Sequence, residues 1–584
     1  MQSGPGVSGM RKTSFNLLAG TILALTALPA IAIAAPDRAE TIVPPLPALA
    51  ATPGAPPEQQ PAAAPPQTSD SDVTLKGAVE PVGTSDAQIS DRLRAIVMDK
   101  QLESRIDRAP ERQAVGVFYA ARNYAPLWSS EGRPNVRAKS VIAQLKNAAA
   151  DGLDPADYPV PAFDAAADAE QLAEDDIRLT NSALTFARHL ASGRVAPSRV
   201  LAEVDYGNHV PDPADILRKI TQAADSGAAL ESYNPPHEGF RALKAKLAEL
   251  KPGQEVDRVL ANMERWRWLP RDLGKTYVMV NIPDFSLKVV HDHQEQWRTK
   301  IIAGKPQTPT PLLSAAMDNV LVNPSWHVPQ SIIQNELLPR YGGDPNIFSR
   351  MGLQVKRRPD GTLSVTQPPG AANALGRIKF NFPNKFQVYL HDTPNKRLFA
   401  NDKRAFSHGC MRVQDPTKFG EIMLHLAMNG PTPNSQQISA LFGRDERTFK
   451  LTDQPMVHLT YQTAFVDGDR LVLRDDIYGF DARISAILRS AERRIADVTP
   501  PPDPKRDLAT AKASQDILRR VERGEAHNAL KLLDQVSREP TRTARSEPKR
   551  LPAGTKPRAV AASEFHQTTP TTPFVLPFLA IFGR

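Results

Sequence analysis

The 584-residue chain has a single cysteine, Cys410. It can therefore form no disulfide within itself, and it has no Cys-x-x-Cys pair of the kind that binds zinc or carries out redox exchange. Long apolar runs are also missing, because the stretch over residues 17–28 is shorter than the ~20 residues that span a bilayer. These absences exclude a disulfide framework and leave one thiol to be explained.

The N-terminus has the three parts of a secretory signal. Arg11 and Lys12 precede the apolar stretch, and Ala32-Ile33-Ala34 follows it as a cleavage triplet. We therefore predict a signal peptide over 1–34 and an extracytoplasmic location for the rest of the chain. An uncleaved N-terminal membrane anchor is the alternative.

Both ends of the remaining chain have the composition of disordered segments. Ten prolines and eight alanines lie within residues 36–70, so we predict a Pro/Ala-rich linker over 35–89. Residues 500–584 form a basic tail, predicted to be largely disordered with one amphipathic helix over 508–536. The net charge of +8 comes partly from this tail. It fits an anionic polymer or lipid surface, or else a solvated tail with no dedicated partner. No nucleic-acid-binding motif is present.

The middle of the chain predicts two domains of different class. Residues 90–250 have apolar positions at helical spacing, which indicates a helical domain in which Trp128 and Tyr124 fill the core or, alternatively, stack on a ligand. Residues 275–485 contain short strand-like runs separated by turns, which indicates a mostly-β domain. Within it, 341–383 reads as an insertion that forms either a lid over a site or a mobile surface loop.

The run 407–412, SHGCMR, predicts a nucleophilic thiol at Cys410. His391 lies nineteen residues earlier, at the end of a predicted strand 387–390, and His408 lies two residues before the thiol. An imidazolium beside a thiol lowers its pKa, so we expect Cys410 and His391 to form an ion pair. Gly409 opens the backbone where main-chain N–H groups of 408–410 could form an oxyanion hole.

Other interpretations of the motif remain open at this point. Cys410 could be an inert buried residue, and with His391 and His408 it could instead be one of three zinc ligands. Downstream, Asp415 and Pro416 predict a helix N-cap and first helical residue, with the helix running to about 427. Cys410 therefore lies on the segment that enters a helix.

Together these motifs resemble a known family. The runs 391–394 (HDTP) and 407–412 (SHGCMR) are similar to the active-site signature of YkuD-type L,D-transpeptidases, in the large Gram-negative branch that has a helical scaffold domain. Segments such as 152–155 (GLDP) and 323–329 (NPSWHVP) fit the same branch, and the resemblance covers about 90–481. Asp392 is a departure, since many relatives have glycine there.

The resemblance implies an α+β multidomain protein with a helical scaffold followed by the catalytic domain and its lid. It implies a periplasmic enzyme of cell-wall biogenesis and cell shape, a carbapenem target, that joins peptidoglycan stem peptides through a thioester on Cys410 without metal or cofactor. Outer-membrane proteins or water are alternative acceptors, and the enzyme would work with at most transient membrane proximity. The implied substrate-binding residues are Arg412, Tyr389, Trp326 and Ser407.

Overall fold

The computed structural model describes residues 85–164, 167–341, 347–359 and 362–490. The predicted signal peptide and the tail helix 508–536 lie outside the described residues. Residues 86–89, which we assigned to the linker, belong to the first helix, because Ser85 and Gln88 form a capping box at its start. In the described part of the chain, no helix combines the length and the apolarity needed to cross a membrane.

The N-terminal half is helical, as the sequence predicts. Its helices are α1 Asp86–Met98, α2 Ala109–Ala121, α3 Val136–Lys146, α4 Ala169–Ser192, α5 Pro213–Gln222, α6 Ser226–Glu231, α7 Glu238–Glu249 and α8 Gln254–Trp268, with the short strands β1 Ser129–Ser130, β2 Arg133–Pro134 and β3 Val204–Asp205. Helix α4 crosses the centre of this domain and begins where the Asp168 side chain accepts the N–H of Gln171.

A buried polar network fixes the centre of the helical domain. The carboxylate of Asp176 accepts hydrogen bonds from the Tyr119 hydroxyl at 2.5 Å and from the main-chain N–H groups of Leu127 and Trp128 at 3.1 and 2.9 Å. Trp128 also donates its indole N–H to Thr180 at 2.8 Å. Trp128 is thus a core residue, which answers the alternative of ligand stacking.

The C-terminal half is mostly β-structure and contains one large sheet and two small ones. Its strands are β4 Thr276–Asn281, β5 Ser286–His291, β6 Gln294–Gly304, β7 Leu312–Ala316, β8 Asn319–Val322, β9 Trp326–His327, β10 Gln354–Arg357, β11 Leu363–Gln367, β12 Ile378–Asn381, β13 Leu390–His391, β14 Ala405–Ser407, β15 Met411–Val413, β16 Arg447–Lys450, β17 Met456–Thr460, β18 Ala464–Asp467 and β19 Arg470–Leu473. The main sheet has the order β16-β8-β12-β13-β15-β6-β5-β4-β17-β7-β3, and β14 also pairs with β6.

The remaining helices are α9 Gln330–Ile332, α10 Leu338–Tyr341, α11 Ile347–Arg350, α12 Pro416–Ala427, α13 Ser435–Ser439 and α14 Phe480–Arg489. Helix α12 begins at Pro416, as predicted, but the Asp415 side chain makes no cap hydrogen bond. Its carboxylate instead accepts from the Thr299 hydroxyl at 3.1 Å, on the neighbouring strand β6.

Helix α8 joins the two halves through buried charged side chains. Arg265 donates to Asp481 at 2.6 Å, and Asp481 also accepts from the Thr463 hydroxyl at 2.6 Å, both in the C-terminal half. In the N-terminal half, Glu264 accepts the main-chain N–H groups of Arg194 and Val195. Because neighbouring residues of α8 bond to different halves, the helix holds the helical half against the sheet.

The segment that contains β9, β10 and β11 differs in its bounds from the predicted insertion 341–383. It is a small folded unit in which β10, β11 and β9 form their own three-stranded sheet, and its core contains Val328, Ile333, Leu337, Leu353 and Val365. It therefore begins at β9, earlier than predicted. Strand β12, inside the predicted insertion, belongs to the main sheet. We call residues 326–367 the lid.

Candidate active site

Two neighbouring parallel strands bring the motif residues together. Strand β13 pairs with β15 so that Leu390 lies opposite Met411 and His391 opposite Arg412. The N–H of Met411 donates to the carbonyl of Tyr389 at 3.2 Å. Because Cys410 directly precedes Met411, this register places Tyr389 next to the thiol.

The predicted strand 387–390 is shorter than expected. The chain at Gln387 has φ +56°, within a turn organised by Asn384, whose amide donates to the carbonyl of Val388 at 2.8 Å. Strand pairing starts only at Leu390. The turn matters because it directs Tyr389 toward the thiol.

Tyr389 acts on the sulfur through both its side chain and its main chain. Its hydroxyl and its main-chain N–H both act to lower the pKa of the Cys410 thiol. Its ring also meets His391 edge to face, with centroids 5.7 Å apart. Tyr389, which we had grouped with the substrate-binding residues, therefore lies beside both the candidate nucleophile and the histidine.

The expected ion pair between Cys410 and His391 is wrong for the resting site. Burial raises the pKa of the Cys410 thiol, and the opposing effects of Tyr389, Lys379 and Arg412 do not cancel that rise. Burial, assisted by Arg412 and Lys379, lowers the pKa of His391 to about 3. Both groups are therefore neutral near pH 7, since desolvation penalises each charged form.

Asp392 fixes the strand that carries His391. Its carboxylate accepts the main-chain N–H of Arg377 at 2.8 Å and pairs with Lys396 at 2.6 Å. Gly376 lies so close that an added Cβ would be 2.4 Å from the Asp392 carboxylate. The aspartate therefore ties the chain entering β12 to the histidine, in the position where many relatives have glycine.

Thr310 holds the loop that precedes Cys410 in place. Its hydroxyl donates to the carbonyl of Gly409 at 2.9 Å and accepts the N–H of Gly304 at 2.9 Å. Gly409 has φ +114°, a conformation that favours glycine. Its N–H donates to the Ser407 hydroxyl at 3.2 Å, so this N–H, which we expected in an oxyanion hole, is already engaged.

His408 lies at the edge of the site. Its Nε2 is 3.2 Å from the ammonium of Lys305, so this ring nitrogen is placed to accept a hydrogen bond from the lysine. The main-chain N–H of Lys305 donates to the carbonyl of Ser407 at 3.0 Å. His408 is thus turned toward Lys305, and it orients the loop through this contact.

The lid closes a small cavity over the thiol. The cavity is about 90 Å³ and is lined by lid and sheet residues: Trp326, Pro329, Ile332, Leu337, Leu353, Ala374, Leu375, Tyr389, His391, Ser407, His408, Cys410 and Arg412. Of the predicted site residues, only Gly409 is missing from this lining. Cys410 is partly exposed to the cavity, so the alternative of an inert core cysteine does not fit.

Sequence reasoning missed two residues of the site. Lys379 faces the ring of Tyr389 with its Nζ 4.0 Å from the ring centroid, and Thr310 holds the nucleophile loop. No local sequence signal marked either residue. As for zinc, the described residues contain no His, Cys, Asp and Glu cluster that could hold a metal ion.

Two family models match separate parts of the chain. Residues 113–247 match the model of a scaffold domain, and residues 275–425 match that of the YkuD L,D-transpeptidase catalytic domain. A Haemophilus influenzae protein, whose name gives L,D-transpeptidase as an inferred activity, is 26% identical over 391 residues, which cover 63% of this chain and 78% of that protein.

Similar solved structures include two L,D-transpeptidases. One from Enterococcus faecium is 15% identical, with a TM-score of 0.16, and the match covers 33% of this chain and 52% of that one. L,D-transpeptidase 3 from Mycobacterium tuberculosis, with a faropenem-derived adduct, is 13% identical with a TM-score of 0.17, and the match covers 32% of this chain and 60% of that one. The chain thus spans little more than half of either structure.

Proposed function

Because the chain carries a YkuD L,D-transpeptidase catalytic domain behind a scaffold domain, we propose that it is a cysteine-dependent L,D-transpeptidase of peptidoglycan. The observation that carries the proposal is the position of the only cysteine. Cys410 lies at a cavity beneath the lid, and Tyr389 and His391 line the same cavity. Export through the N-terminal signal would place the enzyme in the periplasm.

The first half-reaction attaches the donor stem to the sulfur. As Cys410 attacks the carbonyl at the L-centre of meso-diaminopimelate in a tetrapeptide, its proton passes to neutral His391. The S–C bond forms, and the C–N bond to the terminal D-alanine then breaks. His391 returns the proton to the leaving amine, as expected of a general base that becomes the acid. A thioester remains on Cys410.

The second half-reaction transfers the acyl group to an amine. His391, neutral again, removes a proton from the side-chain amine of diaminopimelate in an acceptor stem, and the amine displaces the thiol. The product is a cross-link between two diaminopimelates, and the thiol regains its proton. The same thioester could pass to water or to an amine of an outer-membrane protein, and these acceptors are outcomes of the test below.

The charges of the cavity suit a substrate with carboxylates. The lining contains Arg412 and two histidines but no acidic side chain. The Nε of Arg412 is buried and makes no hydrogen bond to the described residues, so the guanidinium has donor capacity left for a ligand. A planar carboxylate is the partner that a guanidinium fits best, and the stem peptide carries several.

The lid must open for this substrate to enter. A cavity of about 90 Å³ is far below the ~300 Å³ at which ligand pockets usually begin. The apolar lid residues Ile332, Leu337 and Leu353 then close over the bound stem and exclude water from the thioester. This exclusion favours transfer to an amine over hydrolysis.

The proposal is tested by mass spectrometry of the intact protein. Incubation with a tetrapeptide stem or a carbapenem should add one acyl group to the wild type and none to Cys410→Ala. A folded, reduced wild type that never gains this mass refutes the proposal. Muropeptides from a strain lacking and then regaining the gene identify the acceptor, because only the cross-linking enzyme changes the diaminopimelate dimers.

A further inference from the structure

The sulfur of Cys410 needs a source of positive charge other than His391. The resting imidazole is neutral, since burial lowers the pKa of His391 to about 3. Burial also raises the pKa of the thiol, so the ionised sulfur is costly unless nearby charge stabilises it. The described groups that act on Cys410 in this direction are Tyr389, Lys379 and Arg412.

Lys379 occupies a defined place beneath the site. It lies on β12 directly opposite His391 in the register of β12 and β13, and opposite Leu321 of β8 on its other side. Its Nζ lies 4.0 Å from the centroid of the Tyr389 ring, within the range of a cation–π contact. Tyr389 lines the same cavity as Cys410, and its hydroxyl acts to lower the pKa of the thiol.

We propose that the ammonium of Lys379, held against the ring of Tyr389, is a principal charge that stabilises the ionised sulfur of Cys410. A cation on the ring face withdraws electron density from the phenol, so the hydroxyl becomes a stronger donor to sulfur. The ammonium also attracts the thiolate directly. This proposal deepens the proposed function and rests on Cys410 being its nucleophile.

Lys379 acts as a positioning residue, because it does not reach the substrate. It is absent from the lining of the cavity above Cys410, whereas Tyr389 and Arg412 are part of that lining. The other charges that act on Lys379 are Glu446 and Asp318, and both favour its charged form. Burial outweighs them and lowers the pKa of Lys379 from its usual value, so the charged form depends on the negative groups around it, including the thiolate itself.

Arg412 and Lys379 occupy different positions, which predicts different roles for the two cations. Arg412 faces the cavity, with an unbonded Nε for a substrate carboxylate, and a bound carboxylate would offset its charge. Lys379 is shielded from the substrate by the ring of Tyr389, so its charge continues to act on the sulfur when substrate is bound. Arg412 would thus serve mainly for substrate binding and Lys379 for thiolate formation.

Alkylation of the sole cysteine tests the proposal on the full chain. The rate of reaction with iodoacetamide, measured from pH 6 to 11, gives the pKa of Cys410 because only the thiolate reacts. Lys379→Met keeps most of the side-chain volume and removes the charge. We expect it to raise the inflection by about one unit, which makes labelling at pH 8 about tenfold slower. Lys379→Arg should stay near the wild type.

The matched control is Lys385→Met. Lys385 also faces an aromatic ring in the same domain, with its Nζ 5.0 Å from the centroid of Phe386, but it is not among the groups that act on Cys410. Its inflection should equal that of the wild type. A folded Lys379→Met protein with an unchanged inflection overturns the proposal. If that variant does not fold, equal inflections in Lys379→Arg and Lys379→Gln overturn it.

Failure of this proposal can be told from failure of the proposed function. Alkylation requires no stem peptide, so an unchanged inflection combined with a normal acyl-enzyme refutes only the role of Lys379. Absence of any acyl-enzyme in the wild type, with a thiol that still titrates, refutes the transpeptidase. Both proposals are supported if Lys379→Met is acylated more slowly than the wild type at pH 8 and reaches the wild-type rate at a higher pH.

Discussion

Replacement of Asp392 by alanine should loosen the strand that carries His391. The substitution removes the hydrogen bond from Arg377 N–H, at 2.8 Å, and the contact with Lys396, at 2.6 Å. A buried bond to a charged group contributes about 1.5–3 kcal/mol. The Lys396 side chain is 47% exposed, so its ion pair adds at most about 1 kcal/mol. We expect Asp392→Ala to lower the free energy of unfolding by about 1.5–4 kcal/mol.

The matched variant is Lys396→Met, which keeps the bond to Arg377 and removes the ion pair with Asp392 together with the exposed hydrogen bond from the Lys396 ammonium to the carbonyl of Gln414 at 2.9 Å. It should cost less than about 1 kcal/mol in the same urea titration. Acylation by a carbapenem, followed by intact mass, should be at least about tenfold slower in Asp392→Ala, because small displacements of a catalytic group are costly. Lys396→Met should acylate within a few-fold of the wild type.

Two results would refute the reasoning about Asp392. Equal losses of stability in Asp392→Ala and Lys396→Met would mean that the bond to Arg377 contributes nothing. A full loss of stability without any change in acylation rate would mean that Asp392 supports the fold and leaves His391 in place.

Two predictions concern the scaffold. Asp481→Ala leaves Arg265 buried without its carboxylate and should cost about 3–5 kcal/mol in urea unfolding; a loss below 1 kcal/mol would show that α8 is held by packing alone. Burial raises the pKa of Asp176 to about 6, above the ~3.9 of an unfolded chain, so its contribution to stability falls by ~2 kcal/mol as pH rises from 4 to 7. The unfolding free energy of Asp176→Asn should therefore fall less over this range than that of the wild type, and parallel curves would contradict the assignment.

Local sequence was enough to predict the candidate site segment and the order of the helical and mostly-β regions. The cysteine in SHGCMR and the histidine in HDTP, singled out from the sequence, line the same cavity in the structure. The helical scaffold and the mostly-β domain followed from apolar periodicity, and Pro416 predicted the start of α12. Each of these features depends on neighbours in sequence, which a pattern can display.

The lid and the turn at Gln387 were less accessible to such reasoning. The lid starts at Trp326 because β9 pairs with β11, about forty residues further along the chain. The turn depends on Asn384, whose side chain replaces main-chain pairing over several residues. Contacts of this kind override local propensity for strand, so the predicted bounds shifted.

The sequence by itself identified the candidate site residues. They are one thiol, two histidines and the glycine between His408 and Cys410. Only the tertiary structure decided their charge states. Burial leaves both Cys410 and His391 neutral, the reverse of the expected ion pair, because the cost of desolvation depends on what surrounds a group in space. The same folding brings Lys379 beneath Tyr389, and no spacing along the chain could have placed that charge beside the sulfur.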